Sequence, residues 1–389
     1  MSVQQPPPGA PERIPEMSAY ARLDLEIVSG DGVVVVDRDQ NEYLDLYGGH
    51  AAALLGYRHP RLLKVLNEQA ERLFFQTNLV EVGTRQRACA ALSRFAPEGL
   101  DQVFLVNSGA EAVENALRLA FASTGRSRVV ALERGFHGRT AAAGAVTSGS
   151  AGKWYRFPET PFAVSFVPGD DLAALDQALD SECAALILEP VQGVAGAVDL
   201  NLDYLRGASA LCAERGVVFI ADEIQCGMGR SGRAFAIERA GVTPDIITAA
   251  KGLAGGFPAG AVIATEQVAA SVTPGSLGTT FGGGPMAAAL MECVIQCLEE
   301  EALMENAARL EAQVRERCCV GPVSSVQGAG LLLGLRTTRP AKEILGELRT
   351  KGILVGGAAD PNVMRLMPPL IINDTHVDAL AAALQEISP

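Results

Sequence analysis

Apolar residues recur through the middle of the chain in short unbroken runs, separated by stretches of helical spacing. The runs at 102–106 (QVFLV), 128–132 (RVVAL), 184–188 (AALIL) and 217–221 (VVFIA) read as strands buried on both faces, and 245–248 and 260–264 supply two more. Segments 110–122 and 202–215 read as helices, the second ending at Gly216, which suits a left-handed helix cap. Such alternation predicts an α/β fold, a mostly parallel sheet between helices.

Upstream, 32–37 and 42–46 form a predicted hairpin around a turn at 37–41, and 60–75 carries Leu62, Val65, Leu66 and Leu73 at helical spacing. Beyond Pro285 the pattern changes. Helices are expected at 286–301, 304–317, 341–351 and 375–386, with strands at 330–335 and 353–355. The organisation predicted is a Pro-rich tail (1–18), an N-terminal segment packing with a small domain (19–59), a large domain (60–285) and a smaller α+β domain (286–389).

Composition narrows the function classes. With 389 residues and 48% apolar content the chain has ample material for a core. Its formal charge of −13 argues against nucleic acid and against an anionic membrane surface. The opening MSVQQPPPGAPERIP lacks the basic-then-apolar order of a secretory signal, and no apolar stretch reaches the roughly 18 residues of a membrane span. A cytoplasmic protein is expected. None of the eight cysteines forms a CxxC pair, and Cys293 and Cys297, four apart, read as one face of a core helix. Four histidines and no HExxH predict no metal site. Neither a P-loop around Lys153 nor a GxSxG elbow is present.

In a parallel sheet, ligands gather at the carboxyl ends of the strands. Three strand ends carry unusual polar groups. Asn107-Ser108-Gly109-Ala110-Glu111 offers free N–H groups at a helix start, an anion site suited to phosphate; the same residues also read as an ordinary capping box. Asp222-Glu223 ends a buried strand, where a carboxylate needs a partner: a cationic ligand, a helix N-terminus or an ion pair. Lys251 follows an apolar run beside Gly252, where desolvation would lower its pKa and make it nucleophilic; a loop lysine in solvent is the other reading. Together, a phosphate cup, a buried carboxylate and a nucleophilic lysine are the parts of a pyridoxal 5'-phosphate (PLP) site.

At these residues the chain resembles the class III, fold-type I PLP-dependent aminotransferases, within them the acetylornithine branch. The resemblance runs from about Tyr20 to the C-terminus through NSGAEAVENALRLA, FHGRT, LEPVQG, ADEIQCGMGRSG, PDIITAAKGLAGGFPAG, TTFGGGP and NVMRLMPPLI. It implies that Lys251 carries the cofactor and moves protons and that Asp222 pairs with the ring nitrogen. Gln225 would lie near the ring oxygen and Phe136 would stack on the ring. Ser108, Gly109 and Ala110 would hold the phosphate, helped by Thr280 of a neighbouring subunit, so a homodimer with shared sites is expected. Glu189 would buttress the site. Arg139 and Arg365 would grip substrate carboxylates through paired bonds. The implied substrates are an ω-amino acid, N-acetylornithine foremost, and 2-oxoglutarate. Two departures touch the donor. Val194 stands where relatives acting on terminal amines carry a Glu that masks the arginine matching Arg365, and His50 lines the expected entrance. An α-amino-acid transaminase or an aminomutase therefore stays open as an alternative. A non-catalytic protein on the same fold is the reading of a different class, and the presence of both Lys251 and Asp222 speaks against it.

Overall fold

A computed structural model of the chain describes Met17, Ala19 and residues 21–389. Nearly all of the expected Pro-rich tail lies outside the described residues. Seven strands form the central sheet, in the order Leu100–Val106, Gly260–Thr265, Ile246–Ala249, Val218–Asp222, Cys183–Leu188, Arg128–Leu132 and Ala163–Val167. Neighbours run parallel, except that Gly260–Thr265 is antiparallel to both of its partners.

The inner strands of the sheet are buried on both faces because they carry almost no polar side chains. All six residues of Cys183–Leu188 are buried. Successive side chains alternate between two cores, as a period of two demands. Val130, Leu186, Phe219 and Ile247 enter one, and Val129, Ile187, Ile220 and Ile246 enter the other. The helix Gly109–Thr124 covers the second face through Ala112, Val113, Ala116 and Leu117. Leu202–Arg215, Gly83–Phe95 and Pro285–Glu300 pack on the first. Each fully buried Leu or Ile contributes about 1.5–3 kcal/mol, so this two-sided core holds the strand ends rigidly.

Caps set the helix limits. Asn201 accepts from the Asp203 N–H at the start of Leu202–Arg215, and Gly216, at φ 61°, closes it in the left-handed region. A second antiparallel sheet in the C-terminal part joins Val323–Ala329, Leu332–Thr337, Val363–Leu366 and Gly356–Gly357. The N-terminal strands Ile27–Asp31, Val34–Asp37 and Glu42–Asp45 form a third, which Ile353–Leu354 joins in parallel through Ile353 opposite Leu44. The first and last parts of the chain thus meet behind the central sheet.

Several expectations are corrected. The helix Gly83–Phe95 and the strands Ala163–Val167, Val323–Ala329 and Val363–Leu366 lie where no element was expected. The strand expected from Gly330 begins at Leu332, because Gly330 sits in a left-handed turn at φ 56°. Ser108 does cap Gly109–Thr124, but Glu111 reaches back to the N–H of Asn107 (2.6 Å) rather than completing a box on Ser108. Among the described residues, no helix is long and apolar enough to cross a membrane.

Candidate active site

The carboxyl ends of the strands Leu100–Val106, Cys183–Leu188, Val218–Asp222 and Ile246–Ala249 deliver the residues that follow them to one cavity of about 690 Å³. Its lining includes Ser108, Gly109 and Ala110, Glu189, Asp222 and Gln225, and Lys251. Phe136 and Arg139 enter from the loop after Arg128–Leu132, His50 from the N-terminal part and Arg365 from the C-terminal sheet.

Asp222 is buried at 2% exposure and fully engaged. Its Oδ1 accepts from the Ile224 N–H and the Thr248 hydroxyl, both at 3.1 Å. Its Oδ2 lies 2.7 Å from His137 Nδ1. Burial works to lower the His137 pKa, but the Asp222 hydrogen bond and charge, with Glu189, outweigh it and leave the imidazole above its ordinary value. His137 Nε2 is buried with no hydrogen-bond partner among the described residues. A buried, hydrogen-bonded Asp–His pair thus stands at the cavity wall.

Lys251 follows Ile246–Ala249 in the left-handed region, at φ 50°. Burial holds its ammonium below the ordinary lysine range, although Asp222 and Glu189 pull the other way. A nucleophilic amine at neutral pH needs that balance.

Glu189 serves the backbone. Its two oxygens accept from the N–H groups of Phe136 (2.9 Å) and Gly193 (3.1 Å), which fixes the loop bearing Phe136. Burial raises its pKa. Arg365, 6% exposed, spends its bonds on neutral acceptors: Gly357 O at 2.6 Å, Gly193 O at 3.1 Å and Gln225 Oε1 at 3.4 Å. No carboxylate lies within ion-pair distance of it among the described residues, and burial lowers its pKa. Val194, beside the Gly193 carbonyl that Arg365 holds, lines the cavity with an apolar side chain. Arg139 is exposed, with its guanidinium 5.0 Å from the Phe136 ring centroid and 5.7 Å from that of Trp154. His50 lies 4.7 Å from the Tyr47 ring, and burial followed by the charges of Arg365, Lys251 and Arg139 lowers its pKa.

The cavity therefore gathers every site residue that the resemblance implies except Thr280, which is exposed outside it, whereas Glu111 and Glu223 do not line it. Two participants were missed. His137 sits in the FHGRT segment, but its partner Asp222 lies 85 residues away. Trp154, the one tryptophan, is seen to matter only once it flanks Arg139.

The profile of the family "Aminotransferase class-III" matches residues 17–387. This chain belongs to the class-III aminotransferases. It is 39% identical over 386 residues to an acetylornithine aminotransferase of Corynebacterium efficiens, covering 96% of this chain and 95% of that one. It is 41% identical over 378 residues to an acetylornithine aminotransferase of Mycobacterium tuberculosis, covering 95% and 93%. Among solved structures, an ornithine aminotransferase from Toxoplasma gondii matches with TM-score 0.89 and 32% identity over 95% of this chain and 90% of that one. An acetylornithine aminotransferase from Elizabethkingia anophelis matches with TM-score 0.83 and 28% identity, covering 95% and 96%.

Class-III aminotransferases depend on PLP, and the donor set here fits that cofactor. The N–H groups of Gly109 and Ala110 open the helix Gly109–Thr124 without a helical partner, at the positive end of its dipole. Side chains would crowd this cup: a Cβ on Gly109 would lie 2.9 Å from Ile224, and one on Gly138 would lie 2.8 Å from Ala143. A phosphate cup, a buried Asp–His pair and a desolvated lysine on one cavity match an anionic group, a basic ring nitrogen and an aldehyde.

Proposed function

We propose that this aminotransferase takes the terminal amine of N-acetylornithine and delivers it to 2-oxoglutarate, giving glutamate. The observation that carries the chemistry is the convergence of Lys251, Asp222 and the Gly109–Thr124 helix start on one cavity. The two acetylornithine aminotransferases above, each about 40% identical over nearly the whole chain, support the donor.

Bound in the cavity, PLP supplies an aldehyde that condenses with amines and a ring that draws electrons from the adjacent carbon. Lys251 is the residue to hold it, and once released its neutral amine carries a proton from the donor's amine-bearing carbon. Asp222, paired with His137, would hold the proton on the ring nitrogen. Ser108, Gly109 and Ala110 would anchor the phosphate, Phe136 would cover the ring, and Gln225 would lie near its oxygen. Glu189 keeps the Phe136 loop in place. Arg365 and Arg139 bind the carboxylates of the two substrates, and His50 shapes the entrance.

The site is completed by a second copy. Thr280 lies next to Phe281, whose ring is 5.4 Å from that of Phe75. Phe74, Leu79 and Phe281 are 68%, 92% and 64% exposed, an apolar surface of the kind buried between subunits. A cytosolic setting agrees with eight cysteines that carry no disulfide.

Arg365, bonded only to neutral acceptors, favours one alternative, an α-amino-acid transaminase, because a guanidinium without a carboxylate partner can accept an α-carboxylate in both half-reactions. A donor panel separates the two. With 2-oxoglutarate as acceptor, N-acetylornithine should give the highest kcat/KM for glutamate formation or, when the donor is glutamate itself, for the spectral change of the cofactor. A higher value for an unmodified α-amino acid such as alanine would overturn the donor assignment.

A further inference from the structure

The far end of the helix Pro285–Glu300 gathers a second set of reactive side chains, none of which lines the active-site cavity. Cys293 and Cys297 lie one turn apart and Glu301 caps the helix. His59, 242 residues earlier than Glu301, places its Nε2 3.4 Å from Glu301 Oε2. One ligand atom each from His59, Cys297 and Glu301 lies within 4.8 Å of the others. Cys293 lies on the same helix one turn before Cys297. The His59 side chain is only 9% exposed, and its Nδ1 is buried with no partner among the described residues.

We propose that His59, Cys293, Cys297 and Glu301 form a zinc-binding site. One imidazole nitrogen, two thiolates and one carboxylate are donors that zinc accepts in a tetrahedron, with bonds of about 2.0–2.3 Å. Donors bound at those lengths lie about 3.4–3.8 Å apart, so the His59, Cys297 and Glu301 atoms need to approach by about 1 Å, and Cys293, outside that trio, has to swing further in. Zinc binding would release two thiol protons, so exchange for one divalent ion leaves the cluster's charge unchanged. Arg61, 2.8 Å from Glu300 and 3.6 Å from Glu301, can therefore stay. The negative end of the helix dipole also favours a cation here.

An entry path exists. A cleft of about 570 Å³ opens beside Glu301, Glu305 and Asn373. The site would tie the start of the helix Pro60–Arg72 to the point where the chain turns at Ala302 into Leu303–Arg317. It would brace that junction and take no part in amino transfer.

Cobalt reports the ligands. Titrated into the full-length, PLP-loaded protein, Co²⁺ should bind at one equivalent with a near-ultraviolet thiolate-to-cobalt band, and Zn²⁺ should displace it. Cys297→Ser should weaken the band, Cys293→Ser with Cys297→Ser should abolish it, and Cys319→Ser, at an exposed thiol, should leave it unchanged. Glu301→Gln, a change at a partly exposed cap, should keep the fold and the band but weaken affinity about tenfold or more. Zinc should raise the Tm of the wild type but not of His59→Gln. Absence of a band at stoichiometric cobalt would overturn the site, as would a band that survives loss of both Cys293 and Cys297 or disappears in Cys319→Ser.

Discussion

Two buried carboxylates follow one another at the end of a single strand, and two buried arginines lie on either side of the same wall. Asp222 and Arg365 face the cavity, whereas Glu223 and Arg230 face the packed seam behind it. Asp222 meets a histidine, and Arg365 meets carbonyl and amide oxygens at the cavity edge. Glu223 instead accepts the N–H groups of Ala236 (2.9 Å) and Ile237 (2.7 Å) and the Cys226 thiol (3.1 Å). Arg230, 1% exposed, donates to Leu331 O (3.0 Å) and Pro368 O (2.7 Å) and leaves Nη2 unpaired among the described residues. Burial drives Glu223 up to about 7 and Arg230 down to about 9. Burial alone therefore does not mark a catalytic group. What separates the two regions is an opening: charge kept beside a cavity can act on a ligand, and charge used up on backbone groups only joins segments.

Substitutions can break this comparison. The largest expected effect is at Asp222. Asp222→Asn should lower kcat by about 10²–10³-fold, the range for removal of one preorganised electrostatic partner, with little change in Tm. A kcat within threefold of wild type in steady-state assays would place Asp222 with Glu223.

Glu223 should show the reverse pattern through pH. Its folded-state pKa lies above the ordinary 4.5. Its contribution to stability is therefore whole below that value and is lost as the pH rises through about 7, a change of about 3 kcal/mol in all. Urea midpoints measured from pH 5 to 8 should fall more in the wild type than in Glu223→Gln.

The arginines come next. Arg365→Ala should raise the KM for 2-oxoglutarate about 10- to 100-fold, matching the 1.5–3 kcal/mol of a charged hydrogen bond. Arg230→Met should leave that KM alone and cost roughly 1–3 kcal/mol of stability through two stranded carbonyls. Equal KM changes in both variants would erase the distinction. The smallest effect is expected at Val194. Val194→Glu adds a carboxylate next to Gly193, whose carbonyl Arg365 already holds, and should raise the KM for 2-oxoglutarate about fivefold, the ~1 kcal/mol of a partly exposed pair. An unchanged KM would show that Val194 does not govern access to Arg365.

The central sheet was legible where runs were uniformly apolar. Arg128–Leu132 begins and ends where the run does, and Leu202–Arg215 is bounded by Asn201 and Gly216. Gly83–Phe95 was not. Its buried positions are Ala88, Ala91, Leu92 and Phe95, interleaved with Arg85, Arg87 and Arg94, and Val82 offers no side-chain cap. Ala163–Val167 escaped notice because it is an edge strand with only Val167 fully buried. Lys251 and Asp222 stood out because a polar group ending an apolar run has few cheap explanations. His137 could not be placed, since one histidine after a loop glycine carries no periodic signal. Its role depends on a contact that only the folded sheet creates.

The covalent test is the most direct. The PLP-loaded protein should be reduced with borohydride, digested and mapped by mass spectrometry. The account predicts one pyridoxyl group per chain, on Lys251. A label on another lysine, or an unlabelled chain, would contradict it.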